Sequence, residues 1–295
     1  MSEVLLAIPN ISEGSDLNLV DAVAEAYRAE GAIVLDQTSD SDHGRSVHTL
    51  AGSQAVLSSA IVAGWRVAAS GIDLGEGSGV HPHVGALDVA PFVYLADSQR
   101  GAAAAAALSA AGGLGRAGAS VFLYGLLAGG RSRAELRSGG ISGLRSRVAS
   151  GLVSPDFGPA VPSAEVGAVL VAARPPLVAF NLRLGHSATL EEARHTASLM
   201  RDGGERGLPG VKALAFELKD QGFVQLSFNL ERPDEAGIDA VTQFASSRHE
   251  VIAGELIGLA PERYIAAIPR DLEMPDFDPT MKSVEGCLRF HGITT

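Results

Sequence analysis

Twice along this chain the same order of patterns recurs: an apolar run, a helical stripe, two more apolar runs, a second helix and a closing run. In the first half the runs fall at 4–8, 32–35, 47–51 and 89–95. The helical patterns lie at 17–30, where Leu19, Val20, Val23, Ala26 and Tyr27 recur at helical spacing, and at 53–70. In the second half the runs are 177–184, 211–218, 223–229 and 251–257, with helices at 190–200 and 236–248. A further helix at 97–112 and strand at 121–124 extend the first set. Between the sets, 129–162 is rich in Gly, Ser and Arg with weak periodicity, and reads as a long connection.

The order β-α-β-β-α-β is that of the ferredoxin-like split unit. Adjacent strand runs joined as hairpins argue against an all-parallel doubly wound sheet. The pattern predicts an α+β protein of two ferredoxin-like subdomains, 1–172 and 173–295, with a seam between them. A 46% hydrophobic fraction against 19% charged residues is enough to build such cores without long disorder.

Charge narrows the function. The formal net charge is −11, which argues against a partner that presents a row of phosphates, so no nucleic acid is expected. Cys287 is the only cysteine, so no intrachain disulfide or multi-cysteine metal site can be built from it. The alanine-rich stretch at 101–112 is too short and too weakly apolar to span a bilayer. The first ten residues lack a basic segment followed by a long apolar run. A cytoplasmic protein without membrane contact is the expectation.

Four stretches at predicted strand ends carry polar residues beside Gly or Pro: "IPNISEG" (8–14), "DQTSDSDHGRSVHT" (36–49), "GVHPHVGALD" (79–88) and "SPDFGP" (154–159). Each alone reads as a turn, while the recurrence at strand ends suggests a cleft. His81 and His83 at i and i+2, with Asp88, could hold zinc, but Pro82 interrupts a continuous strand and no HExxH is present. No metal is expected. The glycines before His81 spell neither a dinucleotide fingerprint nor a Walker loop. A histidine acting as general acid and base is what remains.

The stretches "PNISEG", "HPHVGALDVAPF", "SPDFGP", "LVAFNLRL", "QLSFNL" and "GELIGLAP" together resemble, in order and over nearly the whole chain, the formiminotransferase domain of glutamate formimidoyltransferases. The resemblance implies two α/β subdomains packed around a central ligand tunnel that holds the folate, and a homodimer that transfers a formimino group from N-formiminoglutamate to N5 of tetrahydrofolate, in one-carbon metabolism and histidine degradation. It implies His81 as the catalytic residue. It assigns folate binding to Gly158, Pro159, Ala160, Val161, Pro162, Ser163, Ala164, Glu165, Val166 and Gly167. Tetrahydrofolate enters as substrate, and the partners are small molecules: a folate and a formimino amino acid. Asn10, Asp36, Arg45, His83 and Asp88, all in the strand-end stretches, are the candidate supporting residues. Asp36 or Asp88 could orient the imidazole, and Arg45 and the arginines at 131–147 could receive carboxylates.

Two positions depart from the family pattern. His83 stands where an arginine is expected, and Thr38 where an acidic residue is expected. The alternatives are the same chemistry on another formimino donor or acceptor, a folate-binding protein without catalysis, and a metal-assisted hydrolase using His81 and His83.

Overall fold

A computed structural model describes residues 4–75, 83–218 and 222–293. The chain divides into two compact units, one up to Pro175 and one from Pro176. Helices and mixed sheets make it an α+β protein.

In the first unit β1 (Leu5–Ala7) and β2 (Asn10–Ile11) are followed by α1 (Leu17–Ala29), β3 (Ile33–Asp40), β4 (Arg45–Gly52), α2 (Gln54–Gly71) and β5 (Leu87–Val93). Then come α3 (Arg100–Ala117), β6 (Ser120–Leu123), α4 (Arg133–Arg137), α5 (Gly140–Ala149) and β7 (Ala168–Arg174). Pro9 interrupts the first ribbon, and both β1 and β2 pair antiparallel with β4 on one side and β5 on the other. β3 lies outside β4, so the β-α-β-β-α-β order is present as expected.

The structure corrects the sequence reading in three places. β7, which the pattern does not reveal, lies parallel to both β5 and β6, so this half of the sheet is parallel after all. Its sequence "AVLVAAR" is buried on both faces, and a strand covered on both sides loses the polar alternation that marks a half-exposed one. Second, the long connection contains α4 and α5. Ser132 caps α4 reciprocally with Glu135, a local signal weakened by the surrounding glycines. Third, α3 runs past 112 to Ala117 and stops at Gly118, whose φ of 106° closes the helix.

Alternation along the strands separates two layers. Tyr27, Leu57, Ile61, Ala107 and Leu114 of α1–α3 pack with Leu87, Ala90, Phe92, Val121 and Val171 on one face. On the other, Leu136 and Leu144 of α4 and α5 pack with Val84, Val89, Phe122, Tyr124 and Leu170.

The second unit comprises β8 (Val178–Leu184), α6 (Leu190–Met200), β9 (Val211–Leu218), β10 (Phe223–Leu230), α7 (Ile238–Ser246) and β11 (Val251–Ile257). Its antiparallel sheet has the order β11-β8-β10-β9. Phe180, Leu226 and Phe228 pack against Ala197 and Val241 in a core of its own. Two short helices, α8 (Glu262–Ile265) and α9 (Val284–Phe290), follow; neither is apparent in the sequence pattern.

Candidate active site

A β-bulge creates the centre of the site. Asn10 pairs with Val89 but Ile11 pairs with Leu87, leaving Asp88 as the extra residue of β5. Leu87 and Ala90 both face α1–α3, so Asp88 and Val89 both turn to the opposite face. Asp88 is fully buried there. Its Oδ1 accepts the Val84 N–H at 2.8 Å, and its Oδ2 accepts from Arg45 at 3.0 Å and also from Arg137.

Arg45 opens β4 and points across the sheet. Its Nε and Nη2 both donate to Asn10 Oδ1, at 2.9 and 2.7 Å, while Asn10 donates to the Ile8 carbonyl at 2.9 Å. The "PNISEG" and "DHGRS" stretches are therefore joined through one guanidinium. Burial alone would raise the Asp88 carboxyl, but the Arg137 and Arg45 charges outweigh it and hold the group below the usual carboxylate range. Burial, then the like charge of Arg137, lowers Arg45 to about 9, so it remains a cation at neutral pH. Arg137 is lowered by burial as well, partly offset by Asp88.

Asp88 thus anchors, among the described residues, the two arginines and the turn at Val84. Among the described residues no group of three or more His, Cys, Asp or Glu side chains is arranged to hold a metal ion.

A second bulge, between Val34 and Asp36, sets Asp36 and Thr38 on the same face, opposite Thr49 and Val47 of β4. Thr38 Oγ1 donates to Asp36 Oδ2 at 3.0 Å. At the end of that hairpin, Asp40 accepts from the His43 ring at 3.0 Å and from the His43 N–H at 2.8 Å. Burial would raise Asp40, and the His43 contacts overcome this to lower it.

The expected folate segment begins in a turn tied to β6. Asp156 Oδ2 accepts from the Leu123 N–H at 2.7 Å and from Arg131, and Ser120 Oγ donates to the Pro159 carbonyl at 2.8 Å. Gly158 has a φ of 80°, and a Cβ there would lie 1.9 Å from the Ala119 carbonyl oxygen, so only glycine fits. Pro159, Ala160, Val161, Ser163, Ala164 and Glu165 are exposed, while Pro162 is buried with its carbonyl facing Arg145.

Its far end meets the histidine-bearing stretch. Ala86 N–H donates to the Val166 carbonyl and Ala168 N–H to the Val84 carbonyl, each at 2.8 Å. Ser12 of "PNISEG" donates from Oγ to the Gly85 carbonyl at 2.7 Å. The "PNISEG" stretch and the far end of the expected folate segment thus meet at the turn at 83–86, inside the histidine-bearing stretch. His83 is part of that turn, with the backbone of Gly140 from α5 beside its carbonyl. His81 lies outside the described residues.

Arg137 is the residue that sequence reasoning did not single out. The cluster at 131–147 was visible, but its members look alike in sequence. Arg131 binds Asp156 and the Leu123 carbonyl, Arg145 the Pro162 carbonyl, and Arg147 the Ser138 and Leu136 carbonyls. Arg137 alone of these turns to the buried aspartate, and its position one residue after the buried Leu136 is the faint sequence signal for that.

The geometry defines a class: an α+β protein with a polar site at its strand ends, built on a buried carboxylate and two guanidiniums. Comparison with known proteins makes this particular. The model of the formiminotransferase domain, N-terminal subdomain, matches residues 4–174. Glutamate formimidoyltransferase from Streptococcus pyogenes serotype M1 is 31% identical over 94% of this chain and 96% of its own length. Glutamate formimidoyltransferase from Thermoplasma acidophilum is 32% identical over 92% of this chain and 93% of its own. Formimidoyltransferase-cyclodeaminase from Sus scrofa is 30% identical over 88% of this chain, which covers 51% of that protein. The chain belongs to the formiminotransferase family and is a transferase.

Proposed function

We propose that the chain moves a formimino group from N-formiminoglutamate to N5 of tetrahydrofolate, with His81 carrying the proton and folate lying against Gly158–Gly167. The observation that carries this reading is the junction at 83–86. There the end of the expected folate segment is hydrogen-bonded to the turn that follows His81 in sequence. The names of the two glutamate formimidoyltransferases it resembles support the formimino group and glutamate as donor.

In this reaction the secondary amine N5 attacks the amidine carbon and forms a C–N bond. The tetrahedral intermediate then breaks its bond to the glutamate nitrogen. One proton leaves N5 and one reaches the departing amine, so a single imidazole alternating between base and acid balances the step. Asp88 and the arginines hold the turn rigid, which keeps the reactants in register, where effective molarity contributes most. The same reading includes a homodimer and the cytoplasm as its setting. Among the described residues no helix is long and apolar enough to cross a membrane.

A second reading keeps the chemistry and changes the donor. It rests on His83 and on Thr38, which is hydrogen-bonded to Asp36. Formation of 5-formimino- or 5,10-methenyltetrahydrofolate from a panel of formimino donors separates the two. His81→Ala is expected to keep the fold and folate affinity while turnover falls by about two orders of magnitude or more. Near wild-type turnover in that variant would remove His81 from the mechanism.

A further inference from the structure

The last turns of α3 carry glycine at 112, 113 and 115, in a helix otherwise rich in alanine. Glycine is the poorer helix former, so each position needs a reason. Their neighbours separate them. A Cβ on Gly112 would touch only the end of the Arg116 side chain, at 3.4 Å. One on Gly113 would lie 2.8 Å from Val62 Cγ2 of α2, a side chain that can turn aside. One on Gly115 would lie 2.8 Å from the Gly158 nitrogen and 2.9 Å from Phe157 Cβ. There the obstacle is backbone, so the chain itself would have to move.

Phe157 and Gly158 lead into the segment proposed to bind folate, and they have little freedom to yield. Val121 N–H donates to the Phe157 carbonyl at 3.0 Å, and Asp156 N–H to the Val121 carbonyl at 2.7 Å. Ser120 Oγ holds the Pro159 carbonyl at 2.8 Å. The far end is fixed as well, by Leu74 N–H on the Glu165 carbonyl at 2.9 Å and Ala86 N–H on the Val166 carbonyl at 2.8 Å. Between these anchors most of 159–165 is exposed. A segment pinned at both ends cannot swing away from a push at Gly158, so the displacement passes along its exposed part. We propose that Gly115 is a positioning residue for folate binding. By letting α3 lie against the backbone of Gly158, it sets where the 158–167 segment meets the ligand, a role that rests on the folate reading above. Gly115 acts through Gly158 and is not itself a ligand contact.

Gly115→Ala and Gly113→Ala form a matched pair. Both add one methyl group to the same helix and both gain helix propensity, but only the first meets the segment. Gly115→Ala is expected to raise the Michaelis constant for tetrahydrofolate on the order of tenfold. The folinate dissociation constant from calorimetry should rise in parallel, while the constant for formiminoglutamate and kcat stay within about twofold. Gly113→Ala should leave all of these within about twofold of wild type. A merely structural glycine would change the melting temperature and the folded fraction, with every constant per folded molecule unaltered. Ser120→Ala releases the Pro159 carbonyl without adding bulk. It should raise the tetrahydrofolate constant to a smaller extent, and it decides the matter if Gly115→Ala does not fold. Unchanged folate constants in the folded variants would overturn the proposal while leaving the folate reading intact. An equal rise in Gly113→Ala, or an equal rise for formiminoglutamate, would overturn it too, by tracing the effect to the helix or to the site as a whole. Wild-type protein that binds no folinate would instead refute the folate reading, and the proposal would fall with it.

Discussion

His48 shows how a single residue can oppose the fold it belongs to. It sits on β4 facing α1, edge-on to Tyr27 with ring centroids 5.3 Å apart, and among the described residues neither ring nitrogen has a partner. Burial lowers its pKa from 6.5 to about 4; the nearby Val20 backbone offsets part of this, Arg28 adds to it, and Asp21 opposes it slightly. The folded state therefore holds a neutral ring where the unfolded chain would bind a proton. The stabilising difference is complete above pH 6.5 and is lost progressively as pH falls towards 4. The full span amounts to about 3 kcal/mol. Urea titrations at pH 7 and pH 4.5 should show a loss in wild type that is much smaller in His48→Leu. Equal losses in the two proteins would place the pH dependence elsewhere. The carboxylates Asp40 and Asp88 act in a lower window, below their unfolded values near 4, so they do not obscure the measurement.

At the scale of elements, the site depends on where β7 begins. Gly167 has a φ of 76°, and a Cβ on it would lie 2.1 Å from the Val84 carbonyl oxygen. The left-handed conformation and the close approach together bring the segment proposed to bind folate onto the 83–86 turn. Gly167→Ala is expected to cost about 1–3 kcal/mol from backbone strain, and to depress turnover by more than that loss of folded protein accounts for. Denaturant titration alongside activity per folded molecule checks both parts. A fully active, equally stable variant would mean that the junction tolerates a shift. The two bulges act similarly. Each adds one residue to a strand, and each re-aims an acidic side chain, Asp88 in one and Asp36 in the other. Nothing in "GALDV" or "IVLDQ" announces a bulge, because the extra residue is defined only by the register of a partner strand far away in sequence.

The whole molecule consists of two units, each with a separate apolar core and each containing the β-α-β-β-α-β order. Residues 176–295 are therefore expected to fold alone, giving a cooperative thermal transition by circular dichroism. A fragment that shows only a gradual, non-cooperative loss of signal would make that core dependent on the first unit. What the sequence by itself determined was the order of elements and the stretches that carry chemistry. Helical spacing in 17–30 and 190–200, hairpin pairing in 211–229, and polar residues beside Gly and Pro at strand ends are local signals, set by neighbours within a few residues. The tertiary structure alone decided that "AVLVAAR" is a central parallel strand, that Asp88 is a buried charge anchor, and that Arg137 differs from the arginines around it. Those properties depend on which distant groups exclude water and which distant charges approach. Arg137 and Arg147 carry the same side chain, and only the packing of Leu136 under the sheet turns one of them toward Asp88.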